Sequence, residues 1–101
     1  MYLDVVCVDI LIVTKRWGGE NSWTFGSCSS AQGYDDRSRY TETCCQPAGD
    51  YELVCMDAYG DGWHKGFLKI GDDRTKYCKS FREGHEQTHT VTMEGKILHL
   101  S

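Results

Sequence analysis

The chain has no excess of positive charge, no long hydrophobic run and few aliphatic side chains, and each shortage excludes something. Eleven Lys and Arg against fifteen Asp and Glu leave a net charge of −4 over 101 residues, the wrong overall sign for a nucleic-acid or anionic-membrane binder. No run of about 20 apolar residues occurs, so insertion into a membrane is not expected. Leu, Ile, Val and Phe number 19 of 101, just under the roughly 20% at which a chain begins to look disordered. Alanine occurs only three times, and no stretch carries helical periodicity. Asn21 is followed by Ser22 and Trp23, which is not an N-glycosylation acceptor, so any glycan on the protein would be O-linked.

Cysteine offsets the thin core. Cys7, Cys28, Cys44, Cys45, Cys55 and Cys78 make an even set of six with no C-x-x-C spacing, which points to three disulfides rather than to zinc or a redox motif. Disulfides persist in oxidising surroundings, so the protein is expected to be secreted or at the cell surface. Met1–Val13 is apolar, but Asp4 and Asp9 interrupt it, and no basic residue precedes it. It reads as a mature strand rather than a signal peptide.

Thr, Val, Ile and aromatic residues punctuated by 11 glycines are strand vocabulary. Strands are expected at about Asp4–Thr14, Ser22–Ser27, Arg39–Cys45, Tyr51–Asp57, Phe67–Ile70, Lys76–Phe81, Gln87–Met93 and Lys96–Leu100. About eight short antiparallel strands make an all-β fold, a small disulfide-stapled β-sandwich resembling a jelly roll. The chain reads as one domain over residues 1–101, with 1–6 and 94–101 as extensions able to engage neighbouring subunits. Adjacent strand residues point to opposite faces, so Cys44 and Cys45 should find different partners. Six cysteines allow about fifteen connectivities. The pairing expected here joins Cys55 to Cys78 and divides the vicinal pair between Cys7 and Cys28, with a free thiol as the rival reading.

Two loops carry the distinctive chemistry. In Asp57-Ala58-Tyr59-Gly60-Asp61-Gly62-Trp63, Asp57 and Asp61 occupy a D-x-x-x-D-G spacing whose oxygens and glycines could wrap a calcium ion. Tyr59 and Leu68 stand where an EF-hand needs oxygen ligands, so the match is partial. The rival reading has both carboxylates accepting backbone N–H bonds in consecutive turns, with Trp63 in the core. The second loop, Trp17-Gly18-Gly19-Glu20-Asn21-Ser22-Trp23, places two tryptophans around a tight turn, where they stack on sugar rings if exposed or cap the core if buried.

These residues carry a family resemblance. Trp17, Gly18, Glu20, Ser22 and Trp23 are followed by Cys44-Cys45, by Gly49, Tyr51, Leu53 and Cys55, by Asp57, Tyr59, Gly60, Asp61, Gly62 and Trp63, and by Tyr77-Cys78. That order, over roughly Cys7 to Met93, resembles a cysteine-rich module of secreted proteins, recurrent in extracellular proteins of aquatic protists and marine invertebrates. The resemblance implies a secreted β-module without known enzymatic activity. Lys65 replaces a glycine common in the module, and Asn21 replaces an aliphatic residue.

The terminal segments are unusual. Val5–Val13 is apolar on both faces except for Asp9, whereas a strand of a small sandwich normally keeps one face wet. Val5, Val6, Val8, Ile10 and Ile12, with Ile97, Leu98 and Leu100 near the other end, form candidate assembly strands. Added to a neighbour's open edge they would link copies head to tail, and such a contact, if it does not close, gives a filament. The alternative is a central strand buried within its own domain. Catalysis is not expected: His64, His85, His89 and His99 are scattered, no serine sits in a nucleophile elbow, and the cysteines are committed. The first expectation is therefore an extracellular structural protein that polymerises with copies of itself into a fibril or coat. The alternative is a calcium-dependent, lectin-like module that binds glycans through Asp57 and Asp61, with Tyr59, Trp63, Trp17 and Trp23 as stacking candidates.

Overall fold

In the computed structural model, residues 5–30 and 33–94 are described. Among them are seven strands and no α-helix: β1 (Val5–Val13), β2 (Asn21–Phe25), β3 (Cys28–Ser29), β4 (Arg39–Pro47), β5 (Gly49–Asp57), β6 (Phe67–Ile70) and β7 (Glu86–Met93). A single 3-10 turn, Gly18–Glu20, precedes β2. The strands form two antiparallel sheets, ordered β4-β1-β6 and β3-β2-β5-β7. The fold is a small disulfide-rich β-sandwich.

Alternation explains how so few aliphatic residues suffice. Ile10 and Ile12 of β1, Trp23 and Phe25 of β2, Leu53 and Cys55 of β5, Leu68 and Ile70 of β6, and Val91 and Met93 of β7 point into one shared core. Loops complete it with Tyr34, Trp63, Cys78 and Phe81, all buried. Trp23 and Trp63 are thus core residues at 2% and 0% exposure, and neither is available to a ligand. Each satisfies its indole N–H internally, Trp23 Nε1 donating to the Tyr34 hydroxyl at 3.1 Å and Trp63 Nε1 to the Met56 carbonyl at 2.8 Å. Buried indoles need such a partner.

The vicinal cysteines part as strand geometry requires. Cys44 is buried and bridges to Cys28 of β3, stapling one sheet to the other, whereas Cys45 is exposed and bridges across the β1–β4 pair to Cys7. Cys55 bridges to Cys78, 23 residues on. Lys76–Phe81, expected as a strand, is not one. Tyr77 alone exchanges backbone bonds with Leu68, and Cys78 then turns into the left-handed region at φ 66° to reach Cys55. There the bridge overrides local β-propensity. The expected strand at Lys96–Leu100 lies outside the described residues.

β1 is a central strand, paired along its whole length with β4 from Val5–Pro47 to Val13–Arg39. Its described residues do not project from the sheet. Ile10 and Ile12, offered above as assembly residues, are fully buried in their own core. The outward face is wet at Asp9, which accepts from Thr43 Oγ1 at 3.1 Å, and is covered at Cys7 by its bridge to Cys45. Val6 and Val8 pack partly against the core, and Val5 is 64% exposed.

Candidate metal centre

One end of the β2–β5 pair gathers the carboxylates. Asn21 opens β2 opposite Asp57, the last residue of β5, so the residue before β2, Glu20, arrives beside the residue that begins the glycine-rich loop. The contact is closed by Ala58 N–H donating to the Glu20 carbonyl at 3.1 Å. Oxygens of Glu20, Asp57 and Asp61 lie within 4.8 Å of one another. Calcium–oxygen bonds of about 2.3–2.6 Å allow oxygens on one ion to be at most about 5 Å apart, so the three fit a single calcium sphere.

The backbone holds this arrangement in place. Asp57 Oδ2 accepts the N–H groups of Asp61 at 2.6 Å and Gly62 at 2.9 Å, wrapping the loop around one carboxylate oxygen. Gly60 and Gly62 take φ of 80° and 81°, which favours glycine. A Cβ at Gly62 would stand 2.6 Å from the Phe81 carbonyl carbon and 2.7 Å from Arg82 Cα, closer than real contacts come. On the other side, Gly18 N–H donates to Asp36 Oδ1 at 2.8 Å, anchoring the turn that carries Glu20.

The turn reading and the calcium reading are therefore not exclusive. Asp57 uses Oδ2 for the turn, while its Oδ1 is buried without a hydrogen-bond partner in a residue only 2% exposed. Glu20 Oε1 and Asn21 Oδ1 are likewise buried acceptors without a partner. Unpaired buried acceptors are costly and rare, so the donor set fits an oxygen-preferring cation. The electrostatics point the same way. Partial burial, then the negative charges of Asp57 and Asp61, raise the Glu20 carboxyl above the usual carboxylate range. At Asp57 burial pushes upward, but hydrogen bonding, chiefly from Asp61 and Gly62, outweighs it and leaves the group below its ordinary value.

Beside the carboxylates lies a cavity of about 320 Å3 lined by Trp17, Glu20, Tyr59 and Asp61. Trp17 is 55% and Tyr59 77% exposed, so of the four aromatic candidates these two alone can meet a ligand. Glu20 was missed as a ligand because it stands 37 positions before Asp57, a separation with no metal-site pattern; only the β2–β5 register joins them. Neither family models, curated proteins nor solved structures give a match to this chain.

Proposed function

We propose that this protein is a secreted, non-enzymatic carbohydrate-binding module whose site is organised by calcium. The observation that carries the reading is Asp57 Oδ1, buried and unpartnered within reach of two further carboxylates and flanked by exposed aromatic rings. Glu20, Asp57 and Asp61 would hold the ion, which supplies a centre for sugar hydroxyls to coordinate. Trp17 and Tyr59 offer apolar faces against which a sugar ring stacks. Three disulfides in so small a chain support an oxidising, extracellular setting. The test is thermal unfolding and glycan binding of the oxidised protein in calcium and in chelator. Calcium is expected to raise the melting temperature of the parent but not of Glu20→Gln, and chelator is expected to abolish glycan binding. An unchanged melting temperature for the parent would overturn the calcium site.

A second reading, assembly by strand addition, is favoured by one feature. β6 pairs only with Ile10–Val13 of β1, so among the described residues no strand pairs the same edge over Val5–Val8. A groove of about 490 Å3 follows that edge, lined by Val5, Val6, Cys7, Val8, Asp9, Gly71, Asp72 and Glu94. An open edge is a template for another chain. Sedimentation should show concentration-dependent assembly that Val5→Lys suppresses, and a monomer throughout would rule this reading out.

A further inference from the structure

The end of the sandwich next to Trp17 carries a second concavity, of about 500 Å3, whose lining is Lys15, Arg16, Arg37, His64 and Lys65. All five are basic or can become so, on a chain whose net charge is −4. They come from three separate loops, and backbone contacts fix the loops together. Arg37 N–H donates to the Lys15 carbonyl at 2.9 Å, and Thr14 N–H to the Ser38 carbonyl at 2.9 Å. Trp63–Gly66 closes a tight turn, Gly66 N–H donating to the Trp63 carbonyl at 2.8 Å, with His64 and Lys65 at φ of 51° and 73°. The absence of a Cβ at Gly66 lets that turn lie against β1, since an added carbon would come within 2.9 Å of the Val13 carbonyl oxygen.

Two further properties mark the cluster as more than a solvated face. Lys15, Arg16, Arg37 and Lys65 are exposed, and none is paired with a carboxylate among the described residues. Of the five, only His64 has a carboxylate oxygen within 4 Å among the described residues, Asp61 Oδ2 at 3.3 Å; the Asp36 carboxylate nearby accepts from Gly18 N–H instead. Gathering like charges in one concavity costs self-repulsion. Among the described residues, Arg37, His64, Lys65 and the adjoining Trp17 are also four of the five non-glycine residues in the left-handed region. Strain concentrated in this way is typical of sites kept for a ligand rather than for stability.

We propose that this cleft binds the sulfate groups of an anionic polysaccharide. Arg forks and Lys point charges match the geometry and charge of sulfate oxygens, and the oxidising compartment implied by the disulfides points to extracellular polyanions rather than to nucleic acid. Arg16 continues into Trp17, and His64 faces Asp61, so the cleft adjoins the aromatic cavity described above. The proposal takes a glycan as ligand, as that reading does, but the basic cleft does not require the calcium ion.

The test is binding of the intact oxidised chain to heparin, as a sulfated probe, in chelator and in calcium. Comparison probes are desulfated heparin and a polyphosphate of matched charge. Arg37→Asn and Lys65→Gly remove charge while installing residues that tolerate a left-handed backbone, and Lys79→Gln, at an exposed lysine outside the cleft lining, serves as the control. Heparin is expected to bind in chelator and to weaken steeply with salt, as counterion release from a polyanion requires. Each cleft variant should weaken binding roughly threefold to fivefold, as expected for an exposed charge pair, and flatten the salt dependence at an unchanged melting temperature. Equal affinity for the desulfated probe, equal affinity for polyphosphate, or equal loss in Lys79→Gln would each overturn the proposal. Heparin binding in chelator without any calcium effect on stability would sink the calcium site and leave the cleft standing.

Discussion

Glu20 and Asp57 show how differently two neighbouring carboxyls behave. Glu20 is raised by partial burial and by the charges of Asp57 and Asp61, so its contribution to stability is fully present below its unfolded value of 4.5 and is lost as pH rises through its folded value. Asp57 is lowered from 3.8, so its contribution is present above 3.8 and is lost as pH falls through its folded value. In chelator the melting temperature should therefore climb as pH is lowered towards about 4.5 and fall again below about 3.8. Differential scanning calorimetry across that range checks this, and Glu20→Gln should remove the climb. Trp17→Ala should weaken glycan binding about threefold to tenfold, the magnitude of one aromatic contact, with little effect on unfolding because Trp17 is 55% exposed. Gly62→Ala should cost roughly 1–3 kcal/mol in denaturant unfolding, since the left-handed φ and the Phe81–Arg82 backbone both oppose a Cβ.

Among the elements, β1 combines the most apolar sequence with an unexpected role. Its run of valines, isoleucines and leucine suggests a strand covered on both sides, yet the structure buries Ile10, Ile12 and Val13 while leaving Val5, Cys7 and Asp9 exposed. The apolar residues at the start of the strand lie beyond the reach of β6, which is only four residues long. The Cys7–Cys45 bridge ties that end of β1 to β4 across 38 positions. Its removal by Cys7→Ser with Cys45→Ser should cost roughly 4 kcal/mol in the chain-entropy model, read as a lower midpoint in denaturant. Most strand positions were legible because alternation and turn residues are local signals. β3 was not, since two residues, Cys28 and Ser29, carry no periodicity and become a strand only by pairing with Phe25 and Thr24.

At the scale of the whole molecule, one end sets a carboxylate cluster beside a basic cleft. The carboxylates of Glu20, Asp57 and Asp61 and the cations of the neighbouring cleft occupy adjoining parts of one end of the sandwich, while the net charge of −4 conceals both. Stability at this scale rests on the staples. Cys28–Cys44 joins the two sheets and Cys55–Cys78 holds Cys78 and the segment that supplies Phe81 against the core. Reduction should lower the melting temperature sharply; on the calcium reading proposed above, an ion bound only by the folded form stabilises that form, so adding calcium should recover part of the loss.

The sequence by itself determined the fold class, the disulfide-bonded character and the glycine-rich carboxylate loop, because composition, alternation and turn chemistry act over a few residues. It also carried the divergence of Cys44 and Cys45, a direct consequence of the two-residue strand period. Only the tertiary structure decided that Glu20 joins Asp57 and Asp61, that Trp63 and Trp23 are core while Trp17 and Tyr59 are exposed, and that Lys15, Arg16, Arg37, His64 and Lys65 share one cleft. Those outcomes depend on strand register and on which loops meet at the end of a sandwich, and both are set by contacts between residues far apart along the chain.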